Sequence, residues 1–130
     1  MNEQQFLDDA EDGDVEKVLS YLSNGGNVNV TDEHNRTALL KASKHGHLDI
    51  VNILLEHNAD VNLRDNRGTS ALYWAVEKNH SEIVQMLISH RADVNVLDDR
   101  GWSALDHARA TKNDELANLL QEAGATANIV

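Results

Sequence analysis

At 130 residues the chain has the size of one small domain, and its 22 acidic residues against 11 basic ones give a formal charge of −11. That balance argues against a nucleic-acid backbone or an anionic membrane surface as the main partner, since both need a basic face. The chain has no Cys, which excludes disulfides and thiolate metal sites.

Taken in order, the opening stretch MNEQQFLDDAEDGD is polar and acidic. It lacks the basic start and apolar run of a secretory signal, and no apolar run approaches the length of a membrane span. The expectation is a soluble, intracellular, cytoplasmic chain, with the nucleus also open. Residues 1–31 form a weak copy of the segment 32–64: Gly13, Val18 and Val28-Asn29 anticipate Gly46, Val51 and Val61-Asn62. Asp8 and Asp9 stand where Lys41 and Ala42 stand one copy later. A terminal repeat tolerates polar residues there, because nothing stacks on its outer side. This stretch is expected to be an N-terminal cap.

Residues 32–64 and 65–97 are the clear copies, at a step of 33 residues. Asp32, Leu39, Ala42, Ile50-Val51 and Leu54 meet Asp65, Leu72, Ala75, Ile83-Val84 and Leu87. Ala59-Asp60-Val61-Asn62 meets Ala92-Asp93-Val94-Asn95. Such a period signals a stacked solenoid, and about four units exceed the roughly three needed for stability. Residues 98–126 continue the series through Asp98, Gly101, Ala104, Leu105, Ala108, Leu116, Leu120 and Ala125. Arg109 and Gln121 replace apolar or small residues, so this copy is expected to be a C-terminal cap. The tail, 127–130, is expected to fray together with Thr126. The whole chain, 1–130, is expected to be one domain.

Each unit holds two short helices. Thr37, Ser70 and Ser103 are helix-starting residues, followed by apolar or small residues at spacings of three and four that fall on one face. Gly13, Gly46 and Asn79 suit the turn between helices. An acid opens every second helix: Glu16, Asp49, Glu82 and Glu115, matched to the positive end of the helix dipole. Gly25, Asn58 and Gly124 suit a left-handed helix end, with Arg91 the exception. Asp-Val-Asn followed by Asp-x-x-Gly then predicts a tight extended hairpin, with Asn35 in the first glycine slot.

These residues resemble the ankyrin repeat. The resemblance rests on Asp65-x-x-Gly68-x-Ser70-Ala71-Leu72-Tyr73-x-Ala75, on Gly46-His47-x-Asp49-Ile50-Val51-x-x-Leu54-Leu55, and on Ala-Asp-Val-Asn at 59–62 and 92–95. It covers roughly residues 3–126 and implies an all-α solenoid of stacked helix-turn-helix pairs joined by short β-hairpin loops. Ala38, Ala71 and Ala104 replace the family proline, which costs some rigidity without changing the fold. Leu40, Tyr73 and Asp106 replace the family histidine, so the hydrogen bonds of that histidine are not carried over.

Seven histidines invite a metal reading, with His45 and His47 as a His-x-His pair. The structural reading is preferred, because His47 and His80 occupy the family's Gly-His position and no further ligand set is suggested. Asp8, Asp9, Glu11, Asp12 and Asp14 are read as a solvated cap rather than a carboxylate pair tuned for proton transfer. No nucleophile elbow, phosphate loop or metalloprotease motif is present. An enzyme is not expected, nor a cofactor.

The resemblance implies protein binding through a concave groove lined by hairpin tips and first helices, in an inhibitor, adaptor or targeting subunit. Carried over by position, the partner-binding residues are Arg36, Lys41, Lys44, His45, Arg67, Thr69, Trp74, Lys78, Arg100, Trp102 and His107. Glu33, His34, Asn66, Glu77, Asp99 and Thr111 lie beside them. Both tryptophans fall in this set, and Trp and Arg are typical binding hot spots. Residues 1–31 hold seven acids and one Lys, whereas 32–64 hold five acids and four bases, so the groove should run from an acidic to a near-neutral end. The expected partner is another protein with a basic or mixed-charge surface, bound by a monomer. Alternative readings are a self-associating structural unit, a metal-dependent enzyme, and hydroxylation of Asn62 and Asn95, which the family's modified asparagines resemble (Leu54 and Leu87 lie eight residues before).

Overall fold

The structure is a computed structural model that describes residues 2–128. It contains α1 (Glu3–Asp12), α2 (Val15–Ser23), α3 (Ala38–Lys44), α4 (Leu48–Glu56), α5 (Ala71–Glu77), α6 (Ser81–Ser89), α7 (Ala104–Ala110) and α8 (Asp114–Glu122). The odd-numbered helices form an inner row, α1 on α3, α3 on α5 and α5 on α7. The even-numbered helices pack behind their partners, with α2, α4 and α6 in a second row.

The core is a set of columns at the repeat step. Phe6, Leu39, Leu72 and Leu105 are all buried, as are Val18, Val51, Val84 and Ala117, and Tyr21, Leu54, Leu87 and Leu120. Each column lies across successive repeats, so one unit alone would leave it half wet; stacking is what removes it from water. Lys17 takes the slot of Ile50, Ile83 and Leu116 in the first repeat and is exposed. Arg109 and Gln121 are exposed at the other end. Asp9 departs from expectation: it is buried, its carboxylate accepting from Gln5 Nε2 at 2.9 Å, because the amide one turn earlier replaces solvent.

Thr37, Ser70 and Ser103 cap α3, α5 and α7 through side-chain oxygens that accept from the N–H groups of Leu40, Tyr73 and Asp106. The second helices end in left-handed residues, Asn58 at φ 65° and Arg91 at φ 69° among them. Arg91 therefore adopts the same conformation as its glycine and asparagine counterparts. Position in the repeat overrides residue preference there, and Lys112 at φ 58° does the same in the turn before α8.

The connecting hairpins are held by side chains rather than by strands. No strand forms among the described residues, and one isolated antiparallel bridge joins Thr31 and Thr37. In each hairpin an aspartate organises the loop. Asp32 Oδ1 accepts from His34 N and Arg36 N, both at 2.9 Å. Asp65 Oδ1 does so from Arg67 and Thr69, and Asp98 Oδ1 from Arg100 and Trp102. Neighbouring tips are joined by Asn66 N to His34 O at 3.0 Å and Asp99 N to Arg67 O at 2.9 Å.

A second cross-repeat series runs through the asparagines. Asn29 Oδ1 accepts from Asp60 N, Asn62 Oδ1 from Asp93 N and Asn95 Oδ1 from Thr126 N, at 2.7 to 2.8 Å. Asn62 Nδ2 also donates to Arg91 O, and Asn95 Nδ2 to Gly124 O. The tail thus does not fray as far as it is described. Ala125 to Asn128 sits one step after Ala92 to Asn95, and Asn128 docks with N–H on Asp106 Oδ1 at 3.0 Å and Nδ2 on Gly101 O at 2.7 Å. Residues 129 and 130 lie outside the described residues.

Asp106 holds this end together. Its carboxylate accepts from Ser103 N and Ser103 Oγ, closing a capping box, and from Asn128 N. Asp106→Ala is expected to lower stability by about 1–2 kcal/mol in urea unfolding, the loss of a cap plus a buried hydrogen bond. An unchanged midpoint would show that the box and the docked tail are dispensable.

Candidate functional site

The residues that the repeat places on its groove side come from two positions that lie together in the second, third and fourth units. Arg36, Thr69 and Trp102 end the hairpins; Lys41, Trp74 and His107 lie on α3, α5 and α7, five residues on. In the second repeat Arg36 and Lys41 share Asp32, with Arg36 Nε at 2.8 Å and Lys41 Nζ at 3.6 Å from Oδ2. In the third, Trp74 Nε1 donates to Thr69 Oγ1 at 2.9 Å. In the fourth, the Trp102 and His107 rings lie 4.8 Å apart.

Lys41 is not an exposed groove residue. It is 5% exposed, and its ammonium also lies 3.4 Å from Glu11 Oε1. Burial of the cation is sustained by these two carboxylates. Thr69 is likewise buried, engaged by the indole. His107 is largely covered, with Nε2 buried 3.7 Å from Asp98 Oδ2 and without a hydrogen bond.

Burial works to raise the Asp32 carboxyl, but it is outweighed. The Arg36 backbone and side chain, the His34 backbone N–H and the Arg36 charge together hold it below the usual carboxylate range. Desolvation lowers His45 despite Glu11, whose carboxylate lies 3.7 Å away. Burial raises the Tyr73 hydroxyl, helped by the charges of Glu77 and Asp98 and opposed by Arg100.

Two pockets flank Trp74. The first, of about 240 Å³, is lined by Glu11, His34, Arg36, Leu40, Lys41, Lys44, Asp65, Asn66, Arg67 and Trp74. The second is lined by Arg67, Thr69, Tyr73, Trp74, Glu77, Asp98, Asp99 and Arg100. Trp74 and Arg67 line both. Lys44 Nζ lies 4.4 Å from the Trp74 ring centroid, over the face, and Tyr73 meets it edge-on at 5.2 Å.

The structure therefore gathers Arg36, Lys41, Lys44, Arg67, Thr69, Trp74 and Arg100 around one indole. Trp102 and His107 join the same indole through Tyr73, whose ring lies 4.6 Å from that of His107 and edge-on to Trp74. His45 turns toward Glu11, and Lys78 is exposed at the C-terminal end of α5. Glu11, Leu40, Asp65, Tyr73 and Asp98 belong to the pockets and were missed by sequence reasoning. Glu11 stands one step before Lys44, a signal obscured by the weakness of the first repeat. Along the chain Tyr73 stands out only as a replacement for the family histidine.

The histidine pair is committed elsewhere. His47 Nε2 lies 2.9 Å from Glu11 O, which places the proton on Nε2, and His80 Nε2 lies 3.3 Å from Lys44 O. His57 and His90 use Nδ1 on carbonyls of their own helices, Ile53 O and Met86 O. No group of three or more His, Cys, Asp or Glu among the described residues could hold a metal ion. The acidic stretch is equally occupied: Glu11 faces Lys41, Asp14 caps α2 and Asp8 accepts from Gln4. Among the described residues no helix is long and apolar enough to cross a membrane. Asn62 and Asn95 spend both ends of their amides on the backbone of the next repeat.

A family model described as ankyrin repeats (3 copies) matches residues 8–98 and 65–130. That family model describes three copies, where the 33-residue step divides the chain into four. No curated protein matches the chain.

Proposed function

The chain belongs to the ankyrin-repeat family, and from that premise we propose that it is a non-catalytic module that binds a partner protein through the groove around Trp74. Ankyrin repeats are in general protein-interaction modules and typically non-catalytic. The observation that carries the groove reading is the half-buried indole that lines both pockets, with a cation on its face and its N–H tied to Thr69. A ring held in this way is pre-organised, so a partner that stacks on it loses little side-chain freedom in the contact. Adaptor, inhibitor and targeting roles all use such a surface.

Trp74→Ala is expected to weaken capture of the native partner by about 2 kcal/mol, roughly thirtyfold in Kd. Circular dichroism and urea unfolding of the same variant establish that the repeats still stack. A folded variant with unchanged partner affinity would sink the groove reading.

A further inference from the structure

The first pocket reverses the charge balance of the chain. Acids outnumber bases two to one overall, 22 to 11, yet four of those bases line this pocket against two acids. Arg36 and Lys41 are neutralised from within by Asp32 and Glu11. Lys44 and Arg67 form no ion pair among the described residues, and Lys44 is held over the Trp74 face. Asp65, the remaining acid, already gives Oδ1 to the N–H groups of Arg67 and Thr69. Leu40 and Trp74 supply an apolar wall beside the two free cations.

Resting on the groove reading above, we propose that the partner presents an acidic side chain to this pocket, its carboxylate between Lys44 and Arg67 and its aliphatic stem, or an adjacent apolar residue, against Trp74. A carboxylate there meets two cations on low-dielectric walls, whereas a basic side chain would meet uncompensated like charge. The −11 field of the whole chain repels a broadly acidic partner, so the acid sits in a short motif on an otherwise neutral or basic surface. The pocket thus selects locally against what the rest of the surface attracts, which is a source of specificity.

The test selects a random peptide library displayed on phage against the full chain. Selected peptides are then titrated against wild type, the Lys44→Glu/Arg67→Glu variant, and a Lys17→Glu/Arg109→Glu control. The control carries the same change in net charge at exposed positions outside the pocket. The expected result is enrichment of Asp or Glu beside an apolar residue, with affinity lost by about tenfold or more in the pocket variant and little changed in the control. Enrichment of basic or uncharged peptides overturns the proposal. So does an acidic peptide that the two variants bind alike, and so does the absence of any selected binder. Binding that requires phosphoserine in place of Asp or Glu would assign the pocket to phosphate and overturn it as well. Loss of a selected basic or uncharged peptide on Trp74→Ala would keep the groove reading while this inference fails.

Discussion

Asp32→Ala is expected to cost about 3–5 kcal/mol, the largest single loss outside the apolar columns. The substitution removes a hairpin organiser and takes from the buried ammonium of Lys41 one of its two carboxylates among the described residues, leaving Glu11 at 3.4 Å. Asp65→Ala supplies the comparison. It removes the same loop bonds from the next hairpin but takes no partner from a buried cation, so it should cost about 1–2 kcal/mol. The difference between the two measures the buried pair. Lys41→Met should cost less than Asp32→Ala, because it removes a buried charge rather than one of its partners. Urea unfolding of the three variants checks the order, and equal losses at Asp32 and Asp65 would show that the ion pair contributes nothing.

The same carboxylate sets a dependence on pH. Its folded pKa lies below its unfolded value of about 3.9, so its contribution is complete above that value and is lost as pH falls through the folded one. Acid unfolding of Asp32→Ala should accordingly show a shallower loss of stability below about pH 4 than wild type.

Gly46→Asn is expected to cost about 2 kcal/mol, and His80→Asn in the same chain should recover about half of it. Gly46 has φ 76°, and a Cβ there would stand 2.7 Å from the His80 ring, which reaches across from the next repeat toward Lys44 O. Gly13 and His47 repeat the arrangement: a Cβ on Gly13 would stand 2.9 Å from the His47 ring. The following step solves the same contact differently: Asn79 takes the turn at φ 61° and Asn113 takes the histidine slot, its Nδ2 donating to Asn79 Oδ1 at 2.8 Å. Glycine makes room for a histidine ring, whereas asparagine meets the shorter asparagine. The double substitution transplants the second solution one repeat earlier. Additive losses in a double-mutant cycle would mean that the two slots are not coupled.

Much of the architecture was legible because a solenoid repeats its contacts at one step. The columns of Leu39, Leu72 and Leu105 or Val51 and Val84 could be aligned without coordinates, and Thr37, Ser70 and Ser103 marked helix starts through local chemistry alone. Arg91 and Lys112 misled or gave no signal, since their left-handed backbone is imposed by neighbours rather than preferred by the residue. Ala125 to Asn128 was legible in principle as a further copy of Ala92 to Asn95. Its docking depends on Asp106, whose place in the pattern signals only a missing histidine.

By itself the sequence determined the repeat step, the helix pairs and their caps, all of which come from local propensity and from contacts between residues a fixed distance apart. Only the tertiary structure decided which groove charges are available. Lys41 and Lys44 lie three residues apart on one short helix, and along the chain both read as groove cations. Three chain segments converge on the first, so that Asp32 and Glu11 bury and neutralise it, while the second rests on Trp74 of the following repeat with its charge unspent. Burial and pairing of that kind depend on distances in space, which a pattern along the chain does not encode.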